Sequence, residues 1–320
     1  MRFLKKKFLF IIKSLIQALF KLTYGSINSK SKFTHDKNII KTKITIDNKN
    51  HYVYQIKNGR VYTDYVENVA VIKSKNIIEN ISYQQIKGRL LPVKYNSTLK
   101  KGTPRFKKYF KGLVVSLIQG ASGNNNYFHW MFDILPRLYL ISKVIRLADV
   151  DFFYIPDAKP YQLYTLSKFK IFKNRIINSK NYRHITADKI YATSHPWYHK
   201  GYILKEAKKL QPWILNWVSK NFIIHKKKFK CANKIFIDRS ESIFNHCQFI
   251  NNDQIIKFLK DKDFSIIQPG KLSVAKQIYL FNNAKVIIGA HGAAFANLVF
   301  CKPGTKIIEV MPIKHPNEVS

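Results

Sequence analysis

The sequence predicts an α/β protein of two Rossmann-like units, preceded by a short basic amphipathic helix. Three observations lead there. The chain has 320 residues, long for one domain and comfortable for two. Between residues 234 and 311, short apolar runs alternate with segments of helical period, the pattern of a parallel sheet with right-handed crossovers. In the first half, the apolar run LVVSLI (113–118) passes through a loop of small residues into a periodic helix, the layout in which ligands bind at a strand's carboxyl end.

The elements follow in order. The stretch FLFIIKSLIQALF (8–20) is apolar, broken by Lys13 and surrounded by Lys5, Lys6, Lys7 and Lys21, with no acid before Asp36. Spanning a bilayer takes about 20 apolar residues, so a helix here is expected to lie on an anionic membrane surface. An ordinary helix packed on the body and a signal or signal-anchor segment are the competing readings. Residues 26–50 are polar and weakly patterned. HYVYQI (51–56), GRVYTDYV (59–66) and VAVIKS (69–74) read as strands separated by turn residues. After the helix following residue 126 come a strand DFFYIP (151–156), a helix YQLYTLSKF (161–169), a strand KIYATS (189–194) and the rigid aromatic turn His195-Pro196-Trp197-Tyr198. A helix is expected from about Lys205 to His225. The strands KIFIDR (234–239), FSIIQP (264–269), KVIIGA (285–290) and TKIIEVM (305–311) then alternate with helices at 251–262, 273–284 and 293–300. Ser273 is a candidate N-cap, and Asn251 with Gln254 a candidate capping box. The implied boundaries are 1–25, 26–204 and 205–320.

Apolar residues make up 46% of the chain, which excludes a disordered protein. Lys and Arg number 56 against 18 Asp and Glu, a net charge of +38. Part of this reflects a Lys-, Asn- and Ile-rich composition of the kind A/T-rich codons produce; the scarcity of acids is not explained that way and points to a polyanionic partner. The three cysteines, Cys231, Cys247 and Cys301, have no C-x-x-C spacing. That argues against a zinc ribbon or a disulfide framework and fits a reducing, cytoplasmic compartment.

Candidate site residues gather at predicted strand ends. Asn126 closes the loop 119–126, and His129, Asp133 and Arg137 follow at i, i+4 and i+8 on one helix face. Either His129 is a base oriented by Asp133, or Asp133 is the base, or the two are a plain helix-surface pair. Pro136 is expected to kink that helix. Arg239, past the end of KIFID, can grip phosphate in bidentate fashion or simply cap a strand. His291, Gly292 and Ala293 lie where a strand turns into a helix whose free N–H groups suit a diphosphate. The alternative is that Gly289 and Gly292 only let helix and sheet pack closely. Glu309 sits inside an apolar strand and requires a partner, a ribose hydroxyl or a structural bond. No metal-binding D-x-D motif is found: Asp149-Val150-Asp151 has the spacing but falls at a helix–strand junction.

Taken in order, GNNNYFHWMFDILPRL, KIFIDR, NNDQIIKFL and AKVIIGAHGAAFANLVFCKPGTKIIEVMP resemble glycosyltransferase family 61, which includes capsular polysaccharide proteins. The resemblance spans about residues 113–313. It implies a GT-B fold, two domains facing a cleft, and inverting transfer from a nucleotide sugar with no cofactor and no required metal. It also implies a nucleotide site at Arg239, His291, Gly292, Ala293 and Glu309, and a cleft wall at Asn126, His129, Asp133 and Arg137, with Asn251 nearby. The expected partners are a nucleotide-sugar donor, UDP-linked by preference, a glycan or lipid-linked glycan acceptor, and the inner face of the cell membrane. The segment SESIFNHCQFINND after Arg239 departs from the family pattern: Asn252 stands for a Glu, and His246 is the candidate second basic residue. That departure supports one rival, a catalytically inactive relative acting as a membrane scaffold. A second rival, a nucleic-acid binder, predicts basic and aromatic residues clustered on one face; the lysines are instead spread along the whole chain.

Overall fold

The structure is a computed structural model and describes residues 2–29, 36–65, 68–86, 89–118, 126–198, 201–202, 210–223, 229, 232–241 and 247–311. It is a mixed α/β protein, and its described residues form two sheets, one of 12 strands and one of 4. The loop 119–125 and His246, both noted in the sequence, lie outside the described residues.

The large sheet is mixed rather than Rossmann-like. On one side Ile176–Asn178, Phe152–Ile155, Lys108–Ser116 and His184–Thr193 run parallel to their neighbours. From His184–Thr193 onward the pairing turns antiparallel through Lys49–Tyr65, Asn68–Lys73, Tyr83–Ile86, Arg89–Leu91 and Gly201–Tyr202. One further antiparallel pair, off this run, is fixed by connection length. Ile39–Ile46 joins Lys49–Tyr65 through Asp47 and Asn48 alone, both with positive φ (48° and 60°). A two-residue turn of this kind links only antiparallel strands.

Two differences from the sequence reading concern this sheet. The strand Ile39–Ile46 falls in a region that reads as unpatterned, yet IIKTKITI alternates. The expected turn at Lys57-Asn58-Gly59 does not form, and one strand runs from Lys49 to Tyr65. Asn58 takes φ 50°, and the register against His184–Thr193 skips the Asn58–Asp188 position. The turn residues thus interrupt one pair of the ladder instead of reversing the chain, and the register is the same on both sides of it.

The second sheet matches expectation. Ser265–Ile267, Lys234–Ile237, Val286–Ala290 and Lys306–Val310 are parallel, in that spatial order. Asn252–Lys260 and Val274–Asn283 are the crossover helices, the latter capped by Ser273 Oγ, which accepts from the Lys276 N–H at 3.3 Å. Residues Ala293–Phe300 form a 3₁₀ helix rather than an α-helix. The helix expected over 205–225 is seen at Pro212–Phe222.

One hydrophobic core serves both sheets. Trp130, Leu135 and Leu138 from the first half pack in the same cluster as Ile235, Ile237, Phe281 and Phe300 from the second, with Trp213 and Ile214 between them. Burying such side chains stabilises by about 1.5–3 kcal/mol each, so the helices at 127–142 and 212–222 act as a shared layer.

Candidate functional site

The first cluster is built on residues 126–137. The Asn126 side chain accepts from the His129 N–H at 3.3 Å, capping the helix start. Pro136 has no N–H to offer the preceding turn, and its ring presses on the carbonyl four residues back. The chain accommodates this by widening: Trp130–Ile134 is a π-helical turn, with the Leu135 N–H reaching the Trp130 carbonyl at 3.0 Å. Single π turns recur at functional sites because they re-aim side chains.

Asp133 lies in that turn and is fully buried. Its Oδ2 accepts from His129 Nδ1 at 2.8 Å and lies 3.6 Å from His195 Nε2; its Oδ1 accepts from the Trp197 indole N–H at 2.9 Å. The backbone N–H groups of Tyr198 (3.0 Å) and Trp197 (3.4 Å) both face His195 Nδ1. That nitrogen is therefore the acceptor, and the ring proton sits on Nε2, toward Asp133. Burial alone would raise the Asp133 pKa. The charge and hydrogen bond of His129, with those of His195, overcome it and hold the carboxyl well below the usual carboxylate range. Asp133 is thus a fixed anion with no surface to present. His129 keeps 14% of its side chain exposed, and with Nδ1 bound to the carboxylate, Nε2 is its proton-accepting nitrogen.

Arg137 does not line a cleft. It is fully buried, its Nε donating to the Asp133 carbonyl at 2.8 Å and its Nη1 to the Thr193 carbonyl at 3.5 Å. Burial lowers its pKa, with the Tyr83 and Asp133 charges opposing. One helical turn past Asp133 the residue faces inward, so it braces the π turn against the sheet.

The second cluster lies at the carboxyl ends of the small sheet. His291 Nδ1 and Glu309 Oε1 are 2.6 Å apart, both mostly buried. Glu309 is thus satisfied by an imidazole, neither free nor bonded to backbone. Arg239 Nη1 donates to the His291 carbonyl. Gly292 has extended backbone, φ 163°, so no left-handed turn is involved. Its contribution is space: a Cβ there would come within 2.4–2.9 Å of the Arg239 guanidinium. Gly289 fits the packing alternative, since a Cβ would meet Ile237 Cβ at 2.9 Å and Phe295 at 3.3 Å. Ala293 opens the 3₁₀ helix directly after Gly292.

Beside Arg239 sits a carboxylate that the sequence reading passed over. Asp238 is buried and accepts from the Ser240 N–H (3.0 Å), Ser240 Oγ (2.7 Å), Asn252 Nδ2 (3.1 Å) and Gln268 Nε2 (2.7 Å). Burial opposes ionisation, but these donors lower its pKa. Asn251, the residue singled out, is exposed, its side chain makes no cap bond, and its Nδ2 donates to Gln254 Oε1 at 3.4 Å. Its neighbour Asn252 faces the site instead, because one step along the helix start turns the side chain toward the strand ends. A depression lined by Arg239, Ser240, Cys247, Gln248, Phe249 and Asn252 opens there.

The two clusters belong to elements that touch. The Tyr127 hydroxyl donates to Asn297 Oδ1 at 2.9 Å, and Asn297 Nδ2 donates to Gln277 Oε1 (3.0 Å) and to the Ala294 carbonyl (3.1 Å). Tyr127 is two residues from His129, and Asn297 stands on the helix that follows His291. His195, Trp197, Asp238, Asn252 and Asn297 were not legible as site residues. The HPWY tract carried one signal, as polar aromatic tips that need partners when buried, and Asp238, Asn252 and Asn297 fall inside segments that carry the family resemblance. Among the described residues no group of three or more His, Cys, Asp or Glu side chains is placed to hold a metal ion.

The family model described as Glycosyltransferase 61 matches residues 127–308. A xylan glycosyltransferase of Arabidopsis thaliana, MUCI21, is 32% identical over 66 residues, covering 20% of this chain and 13% of the plant protein. The matched stretch is therefore a small part of that relative's length. The family match opens at Tyr127 and ends at residue 308, so it takes in His129, Asp133, Arg239 and His291 and stops one residue short of Glu309. With more than half of the sequence matched, the chain belongs to glycosyltransferase family 61.

Proposed function

We propose that the protein is an inverting glycosyltransferase, moving a sugar from a nucleotide-sugar donor to a glycan or lipid-linked acceptor in surface polysaccharide synthesis. The observation that carries this reading is the His129–Asp133 pair, in which a buried anion backs an imidazole that reaches the surface, beside the helix that follows His291. In this reading the small parallel sheet holds the donor and the large mixed sheet carries the acceptor side, the two lobes of a GT-B arrangement.

The step balances as a single displacement. The acceptor oxygen bonds to the anomeric carbon while its proton passes to His129 Nε2. The bond from that carbon to the diphosphate oxygen breaks, and its electron pair leaves with the nucleoside diphosphate. Asp133 stabilises the imidazolium without taking the proton. Arg239, over Gly292, offers its guanidinium to the leaving diphosphate, the role a metal ion plays elsewhere. UDP is the first donor to test. The free thiols of Cys247 and Cys301 fit a cytoplasmic setting.

Calorimetric titration with UDP, GDP and CMP, in EDTA and without added metal, tests the donor half. One nucleotide should bind, and Arg239→Ala should weaken it about tenfold or more, equivalent to roughly 1.4 kcal/mol. His129→Ala should keep that affinity and lose turnover by about 10²-fold or more. If no nucleotide binds, or if His129→Ala turns over normally, the reading fails.

A further inference from the structure

The first helix, Arg2–Tyr24, is attached to the body in an unusual sense. Residues 4–16 are all exposed. Contact begins only at Gln17, Phe20, Lys21 and Tyr24. Phe20 meets Phe106 edge-on at 5.2 Å, and Tyr24 meets His184 at 5.1 Å. The Tyr24 hydroxyl accepts from the Lys107 N–H at 3.2 Å, and the Lys21 stem crosses Gly102.

The helical register shows which face this is. Leu4, Phe8, Ile11, Leu15, Leu19 and Leu22 recur at three- and four-residue spacing and form one stripe. Gln17, Phe20, Lys21 and Tyr24 lie on the opposite side, the side that also carries Lys6 and Lys13. The body therefore meets only the last two turns of the helix, through Phe20 and Tyr24 together with Gln17 and Lys21, and leaves the apolar stripe to solvent. The stripe is fully uncovered along its length, Leu4 at 69% and Leu22 at 86% exposed. At the foot of the helix Phe106, also 86% exposed, packs on Phe20 on the side away from the stripe, next to Lys107 and Lys108. No acid lies in the helix, whereas Lys5 and Lys7 flank the stripe. The helix is about 35 Å long at 1.5 Å per residue, but no helix among the described residues is long and apolar enough to cross a membrane.

We propose that this face docks in the plane of an anionic lipid bilayer, with the stripe in the acyl boundary and the flanking lysines at the headgroups. A basic apolar surface with no acid in it complements negatively charged lipid, and a second copy of so basic a helix would meet like charge. This inference rests on the helix and its attachment and does not depend on the glycosyl-transfer reading.

The test is co-sedimentation of the full chain with vesicles of phosphatidylcholine, with and without phosphatidylglycerol. Binding should require phosphatidylglycerol and weaken as salt rises. The double variant Leu15→Glu/Leu19→Glu should lose binding about tenfold or more while its circular dichroism and thermal midpoint stay those of the parent. A second variant, Phe8→Ser, should weaken binding severalfold. Equal partition with and without phosphatidylglycerol, or unchanged binding by the double variant, overturns the proposal. A dimer in sedimentation that the double variant abolishes, with no vesicle binding, assigns the stripe to a second copy instead and equally overturns it.

Discussion

Asp133 shows what a single residue does here. Its carboxylate faces two imidazoles and an indole N–H with no solvent. Asp133→Asn replaces the anion with an amide that clashes donor to donor with at least one of these partners. Breaking a buried charged pair costs about 3 kcal/mol or more, so urea unfolding at pH 7 should show a loss of that order. The pH dependence follows in sign. The folded-state pKa is depressed below an unfolded value of about 3.9. The stabilisation is complete above that value and is lost as pH falls toward the folded value. The gap between parent and Asp133→Asn should therefore be full at pH 5–7 and narrow below about pH 4. The two glycines near Arg239 separate space from packing. Gly292→Ala should change stability by less than about 1 kcal/mol, because the obstructing atoms are the flexible end of Arg239, yet weaken nucleotide binding about tenfold. Gly289→Ala presses on Ile237 Cβ, fixed to a strand, and should cost about 1–3 kcal/mol in stability.

At the scale of elements, the π turn is the feature on which the His129–Asp133 geometry depends. Pro136→Ala restores an N–H and removes the ring clash, so residues 130–136 can rewind as an α-helix. Thermal stability should hold or rise, while turnover falls about tenfold or more, because a rewound turn rotates Asp133 away from His129 and Trp197. Unchanged turnover would mean that the π turn is held by its surroundings and not by the proline. The small sheet was legible to within a residue or two, since alternating apolar strands and periodic helices are local signals. The large sheet was less so. Lys57-Asn58-Gly59 has turn chemistry, but pairing on both flanks keeps the strand continuous, and tertiary pairing outweighs a local preference. The 3₁₀ winding at Ala293–Phe300 was likewise invisible, because it follows from the close fit of Phe295 and Phe300 in the core.

At the scale of the whole molecule, the bond from Tyr127 to Asn297 ties the helix of the first cluster to the helix of the second. Asn297→Ala leaves the Gln277 side chain and the Tyr127 hydroxyl without this partner in a buried setting. It should destabilise by about 2 kcal/mol and lower turnover more than nucleotide affinity, since each cluster stays intact while their alignment loosens. Tyr127→Phe, which removes one hydroxyl, should cost about 1 kcal/mol.

The sequence by itself determined that the last four strands run parallel, the pairing distance of His129 and Asp133, and the resemblance that the family match bears out. These are properties of spacing and composition within short windows. Only the tertiary structure decided that Asp133 is buried while His129 is not, and that Arg137 braces the turn from inside. It also decided that Asn252 rather than Asn251 faces Asp238, and that the first helix turns its apolar stripe outward. Each of these depends on which distant segment lies opposite: Trp197 is 64 residues from Asp133, and Asn297 is 170 from Tyr127. Burial, charge pairing and the face a helix presents are set by those neighbours, and no local pattern encodes them.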